Sequence, residues 1–247
     1  MIRKRAFIGV LLFAFLQFVI RAVQIYLAAN FPQAALLAPT AETFREFLEH
    51  QEFFVFIVTI YVGAGLIAND RRANALQIYL SKPLMRSEYI AGKAAVLFVF
   101  LTLVTWVPAI LLLLLQVLFA GSFAFLEKNL FLFPAITVGS MVQVLVATFT
   151  MLALSSLSKS ARYVGILYAG VIFFTGAIYG VMYAITGNSS LSWLSLSSSV
   201  SQVLDVVFRI EPRYDTPWPV SLTVVIGLIV LSISVLERRV RGVEVVT

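Results

Sequence analysis

The sequence predicts an all-α polytopic membrane protein with six transmembrane helices and both termini in the cytoplasm. Three observations predict it: composition, the spacing of apolar runs and the placement of basic residues. Hydrophobic residues make up 61% of the chain and charged residues 12%, about half the charged fraction of an ordinary soluble domain. The mean hydropathy is +0.98. The excess is concentrated in six stretches almost free of charge, at 6–29, 53–69, 94–120, 132–157, 163–186 and 216–236. At about 1.5 Å per residue most are long enough to cross a hydrocarbon core of about 30 Å. Lipid offers no partner to backbone polar groups, so such stretches must be helices. With a cytoplasmic N-terminus, thirteen of the 18 Lys and Arg residues fall on inner segments: Arg3, Lys4, Arg5; Arg71, Arg72, Lys82, Arg86, Lys93; Lys159, Arg162; Arg238, Arg239, Arg241. Four fall outside (Arg45, Lys128, Arg209, Arg213) and Arg21 lies within the first span. This asymmetry fits the positive-inside rule. The net charge of +6 is therefore a topology signal, spread too thinly for a nucleic-acid surface.

The first span follows a basic start but is too long, and lacks the small-x-small site, for a cleavable signal peptide. It carries Arg21, which either snorkels to the outer surface or pairs with an outer glutamate such as Glu52, or else meets an anionic substrate or lipid headgroup. Gln17 and Gln24 on the same span are candidate polar lining of a pathway, as are Gln116 and Gln143. In the segment 31–52, Thr43 and Glu46 have capping-box spacing, and Phe44, Phe47 and Leu48 recur at helical intervals opposite Glu42, Arg45, Glu46 and Glu49. A short amphipathic helix is expected there, lying at the outer interface or leading into a second span that starts within 44–52. It serves as interfacial packing or as a substrate-facing lip.

The inner segment 70–93 is expected to hold one helix over 71–80, stopped by Pro83, and a second that begins near Ser87 and runs into the third span. Leu76, Tyr79 and Leu80 share a face, with Ala73 below them. Beside Arg71 and Arg72 that face suits either a groove in a soluble partner or anionic lipid headgroups. Asn74 tolerates a left-handed conformation better than most residues. Pro108 predicts a kink in span three, with Thr105 or a neighbouring helix satisfying the freed carbonyl. Pro134 suits the first turn of span four. Gly176 and Gly180 on span five form a Gly-x-x-x-Gly pair that permits close helix approach. Segment 187–217 is too apolar for a solvated loop and too Ser-rich for a span. It is expected to form a re-entrant or interface-lying helix pair with Trp193 and Trp218 at headgroup level. Asn188-Ser189-Ser190 has the form of a glycosylation sequon.

Several chemistries lack their residues. There is no cysteine, which excludes disulfides and thiol catalysis. No Gly-x-x-x-x-Gly-Lys-Ser/Thr sequence is present, so ATP hydrolysis would need another polypeptide. His50 is the single histidine and lies outside the expected spans, and Gly139-Ser140 has no base nearby in sequence. Intramembrane catalysis is disfavoured. A secondary transporter is disfavoured too, because the expected spans lack Asp, Glu and His.

From Asp70 to Lys93 the chain resembles the coupling segment of type-2 ABC-transporter permeases. Asp70, Leu76, Leu80, Ser81, Lys82, Pro83, Arg86, Tyr89, Gly92 and Lys93 fall on that family's pattern without a gap, whereas Asn74 and Ala75 stand where Gly and a hydroxyl residue are usual. The turn at 155–162 and the apolar segment before span six are also similar. The resemblance implies a single permease domain over 1–247, the membrane subunit of an ATP-driven exporter, with no catalytic residue and no metal of its own. Its coupling residues would be Asp70, Arg71, Arg72, Asn74, Leu76, Tyr79, Leu80, Pro83 and Arg86. Its partners would be two copies of a separate ABC ATPase carrying ATP and magnesium, a second permease copy (identical or homologous) and membrane lipids, with no nucleic acid. The expected location is the plasma membrane, in a bacterium the inner membrane. Family members often carry an amphipathic cytoplasmic helix before span one; with only residues 1–5 ahead of it, that helix is expected to be shortened or absent here. A non-transporting scaffold that recruits a soluble protein through 70–93 is the alternative. The aromatic-rich spans suit amphiphiles without identifying a substrate.

Overall fold

In the computed structural model, which describes residues 2–75, 85–121 and 123–241, the apolar stretches form helices without an intervening strand. The first, α1, runs from Ile2–Asn30 and is followed by a 3₁₀ turn over Pro32–Leu37. Helix α2 (Ala41–Val58) passes into a π-helical turn over Thr59–Gly63, and after a bend α3 (Ala68–Arg72) completes the second membrane-length element. Helices α4 (Arg86–Val104) and α5 (Trp106–Ala120) form the third, and a short α6 (Ala124–Lys128) leads to the fourth, α7 (Leu132–Leu157). The fifth is α8 (Ala161–Thr186). A 3₁₀ turn (Ser189–Leu194) and α9 (Leu196–Val207) precede the sixth, α10 (Trp218–Arg241). Six of these elements are long and apolar enough to cross a membrane, which makes this an all-helical multi-pass membrane protein.

The amphipathic segment before span two is continuous with it, and the element begins at Ala41. The expected Thr43/Glu46 capping pair is displaced by three residues: Thr40 precedes the first turn and its N–H donates to Thr43 Oγ1 at 3.1 Å. Span three breaks at Thr105, three residues before Pro108. The Thr105 hydroxyl donates to the Leu101 carbonyl at 2.9 Å, one turn back, and not to the Val104 carbonyl that the proline leaves without its usual donor. Span four runs over Leu132–Leu157 as expected, with Pro134 inside the first turn. Segment 187–217 holds two short helical elements, the 3₁₀ turn and α9, followed by an irregular stretch.

Helix α7 is the axis of the bundle, touching α2, α3, α4, α5, α8, α9 and α10. Small residues make that possible. A Cβ at Gly139 would stand 3.2 Å from both Leu48 Cδ1 and Phe208 Cε2, and one at Gly63 would stand 2.5 Å from Met151 Cγ. Close backbone approach of this kind replaces the hydrophobic drive that helices lack within lipid. The buried apolar residues fall into three layers. One, around Phe44, Phe47, Leu112 and Ile136, lies toward segment 187–217. The middle one contains Phe54, Val58, Leu101 and Val144. The third, around Ile67, Leu97, Met151 and Leu236, lies beneath Asp70.

Candidate functional site

Segment 70–93 begins where span two is spliced to α7. Ser155 of α7 inserts its hydroxyl into the hydrogen-bond ladder at the bend: Oγ accepts from the N–H of Ile67 at 3.1 Å and of Ala68 at 3.0 Å, and donates to the Ala64 carbonyl at 3.0 Å. A side chain inserted in this way is one of the few causes of a sharp helix bend. Next to it the Arg71 guanidinium donates to the Ser156 carbonyl. Asp70 then closes the segment on itself. Its Oδ2 lies 2.7 Å from Lys93 Nζ and accepts from the Tyr89 hydroxyl at 2.8 Å, with Lys93 Nζ 5.4 Å from the centre of the Tyr89 ring. Tyr89 is buried and Lys93 half-buried, so the pair is better shielded than a surface salt bridge.

Of the candidate coupling residues, the structure brings Asp70, Arg71 and Arg72 together on α3, with Arg72 exposed and Arg71 held against α7. Asn74 is in the left-handed region, φ +52°, the conformation for which Gly is the usual residue. It corrects the expected helix over 71–80: α3 ends at Arg72, and Ala73 and Asn74 form a turn. Arg86 opens α4, whose first turn is fixed by Glu88 Oε2 accepting from the Met85 N–H at 2.9 Å. Leu76, Tyr79, Leu80 and Pro83 lie outside the described residues.

The candidate pathway residues sit near the opposite end. Arg21 pairs with Glu46 at 2.7 Å, not with Glu52, and donates to Gln24 Oε1 at 2.9 Å; Gln24 donates to the Leu37 carbonyl at 3.3 Å. Gln17 is half-buried on the same helix. Gln116 and Gln143 are buried, and Gln143 lines a cavity.

Sequence reasoning missed a second polar cluster at this end. Arg45 and Asp205 are both fully buried, with Arg45 Nε 2.6 Å from Asp205 Oδ1. Arg45 also pairs with Glu49, whose carboxylate receives a two-pronged contact from Arg213 at 2.8 and 2.9 Å. Burial pushes the Asp205 carboxyl up to about 6, Arg45 opposing the shift and Glu49 and Glu42 adding to it. The only sequence signal was the Arg45–Glu49 spacing of four. Glu49 and Glu52 also lie on a membrane-length element, which corrects the expectation that the spans carry no acidic residue.

Segment 70–93 is thus tied at its base by Asp70, Tyr89 and Lys93 and spliced to the central helix through Ser155 and Arg71. A family model for ABC-2 family transporter proteins matches residues 1–238. The chain belongs to the ABC-2 transporter family. Among curated proteins none matches it. For this ABC-2 protein, three of the positions that carried the resemblance, Asp70, Tyr89 and Lys93, converge on one contact.

Proposed function

We propose that this ABC-2 protein is the membrane subunit of an ATP-driven exporter, with the pathway formed between two such subunits and hydrolysis supplied by two copies of a separate ABC ATPase. The ATPase carries the nucleotide and magnesium. Both termini and segment 70–93 face the cytoplasm, as the basic residues indicate, and in a bacterium the membrane is the inner one. The observation that carries the reading is the Asp70–Tyr89–Lys93 closure at the base of 70–93, within a chain matched over 1–238 by the family model. Closure of the ATPase dimer would press on 70–83, and Pro83 and Arg86 would pass the displacement into span three. Leu76, Tyr79 and Leu80 supply the docking face beside Arg72.

Affinity purification of the tagged protein from its native membrane, with mass spectrometry of what accompanies it, tests the reading. A near-stoichiometric ATPase bearing a P-loop is expected, and it should be lost when Leu76 and Tyr79 are replaced by Asp. Repeated recovery in mild detergent with no ATPase would favour the scaffold alternative instead.

A further inference from the structure

Helices α2, α7, α8 and α9 enclose a cavity of about 260 Å³ that no coupling role uses. Its walls are mainly aromatic and aliphatic: Phe56 stacks on Tyr168 with centroids 5.8 Å apart and meets Phe173 edge-on at 5.5 Å. Phe53 and Phe173 in the lining are 59% and 65% exposed, so the cavity opens sideways on the apolar surface of the bundle. Its polar groups are unbalanced. Glu49 is taken up by Arg45 and Arg213, and Asp205 behind it by Arg45. Glu52 has the Ser197 side chain beside it, and among the described residues no cation lies within ion-pairing distance of it. Glu49 and Asp205 thus share two cations, while Glu52 has none among the described residues. Gln143 is 4% exposed; its Nε2 donates to the Leu48 carbonyl at 3.0 Å, while its Oε1 accepts from no donor among the described residues.

We infer that this cavity binds a molecule with an ammonium head and an apolar body, the ammonium lying between Glu52 and Gln143 Oε1. Both open groups are acceptors, and an ammonium supplies three donors and a positive charge. An anion would face Glu49 and Glu52 in the lining, and a neutral alcohol would bring a single donor and no positive charge. The aromatic faces add to the preference for a cation. The head and the start of the chain fill the cavity, and the rest leaves past Phe53 and Phe173 into lipid. The same chemistry is offered by a free alkylamine and by a lipid with a primary amine in its headgroup. The site stands by itself; its use for exported cargo rests on the permease reading.

The test is equilibrium binding of radiolabelled n-octylammonium to the permease, without ATPase, in nanodiscs of phosphatidylcholine, against protein-free nanodiscs. Saturable binding is expected, with affinity at least tenfold weaker in Glu52→Gln and no competition by octanol or octanoate. Uptake equal to that of protein-free discs, or unchanged in Glu52→Gln, overturns the site. If Glu52→Gln does not fold, Phe173→Trp leaves Glu52 in place. Its emission should shift with octylammonium and not with octanol, and the absence of a shift overturns the proposal equally. Adding phosphatidylethanolamine to the discs separates the sources: weaker octylammonium binding supports an ammonium site filled by lipid, unchanged binding one that takes a free amine. A negative result removes this site and leaves ATPase coupling untouched, whereas failure to recover an ATPase removes the transporter reading and leaves the site.

Discussion

Arg45 and Asp205 show how much a single buried charge depends on its partner. Removing one member of such a pair leaves the other uncompensated, at a cost of about 3–5 kcal/mol, whereas replacing both with apolar residues is often neutral. Arg45→Ala is therefore expected to lower the unfolding temperature in detergent sharply. Arg45→Met combined with Asp205→Leu should recover most of the loss. If the double variant is as unstable as the single one, the pair is not the source of the effect. The same carboxyl predicts a pH dependence. Its folded value of about 6 lies above its ordinary 3.8, so the protonated form is favoured by folding. That contribution is complete below the unfolded value and is lost as pH rises through about 6. The unfolding temperature of the wild type relative to Asp205→Asn should therefore rise as pH falls from 7 to 5, and a flat difference would refute it.

At the scale of elements, the second span is the least regular and the most informative. Its π-helical turn presses Gly63 against Met151 and Leu97, so Gly63→Ala overpacks the site and is expected to cost about 1–3 kcal/mol. Gly176 and Gly180, by contrast, have nothing within 4 Å of an added Cβ in the subunit. Gly176→Ala should leave the thermal stability of the isolated subunit unchanged, and a loss comparable to Gly63→Ala would contradict this packing. Ser155→Ala removes the acceptor for two buried backbone N–H groups. An unsatisfied buried group costs about 1–3 kcal/mol, and hydrogen exchange at Ile67 and Ala68 should quicken selectively.

For the whole molecule, six spans were legible because apolar runs of that length have one physical solution in lipid. The start of α2 was not. Glu42, Arg45, Glu46 and Glu49 read as the polar face of an interfacial helix until Asp205, Arg213 and Arg21 arrive from distant parts of the chain to neutralise three of them. The three-way contact of Asp70, Tyr89 and Lys93 was visible as matched positions, but spacings of 19 and 23 residues carry no local periodicity to show that they touch. Asp70→Asn is expected to leave the fold intact and reduce ATP-driven transport in reconstituted vesicles several-fold, with Lys93→Met behaving alike. Full transport in both variants would dissociate the closure from coupling.

The hydroxyl of Ser155 gives the second span an unusual mechanical character. A helix interrupted at 64–67 would ordinarily act as a swivel, absorbing any rotation of its tip before the rest of the protein sensed it. Here the gap is pinned by an atom that belongs to α7, so the joint is shared between two shafts. A twist applied at Asp70 would therefore reach the central helix, and on the coupling reading the bundle would turn as a gear train instead of yielding at one tooth.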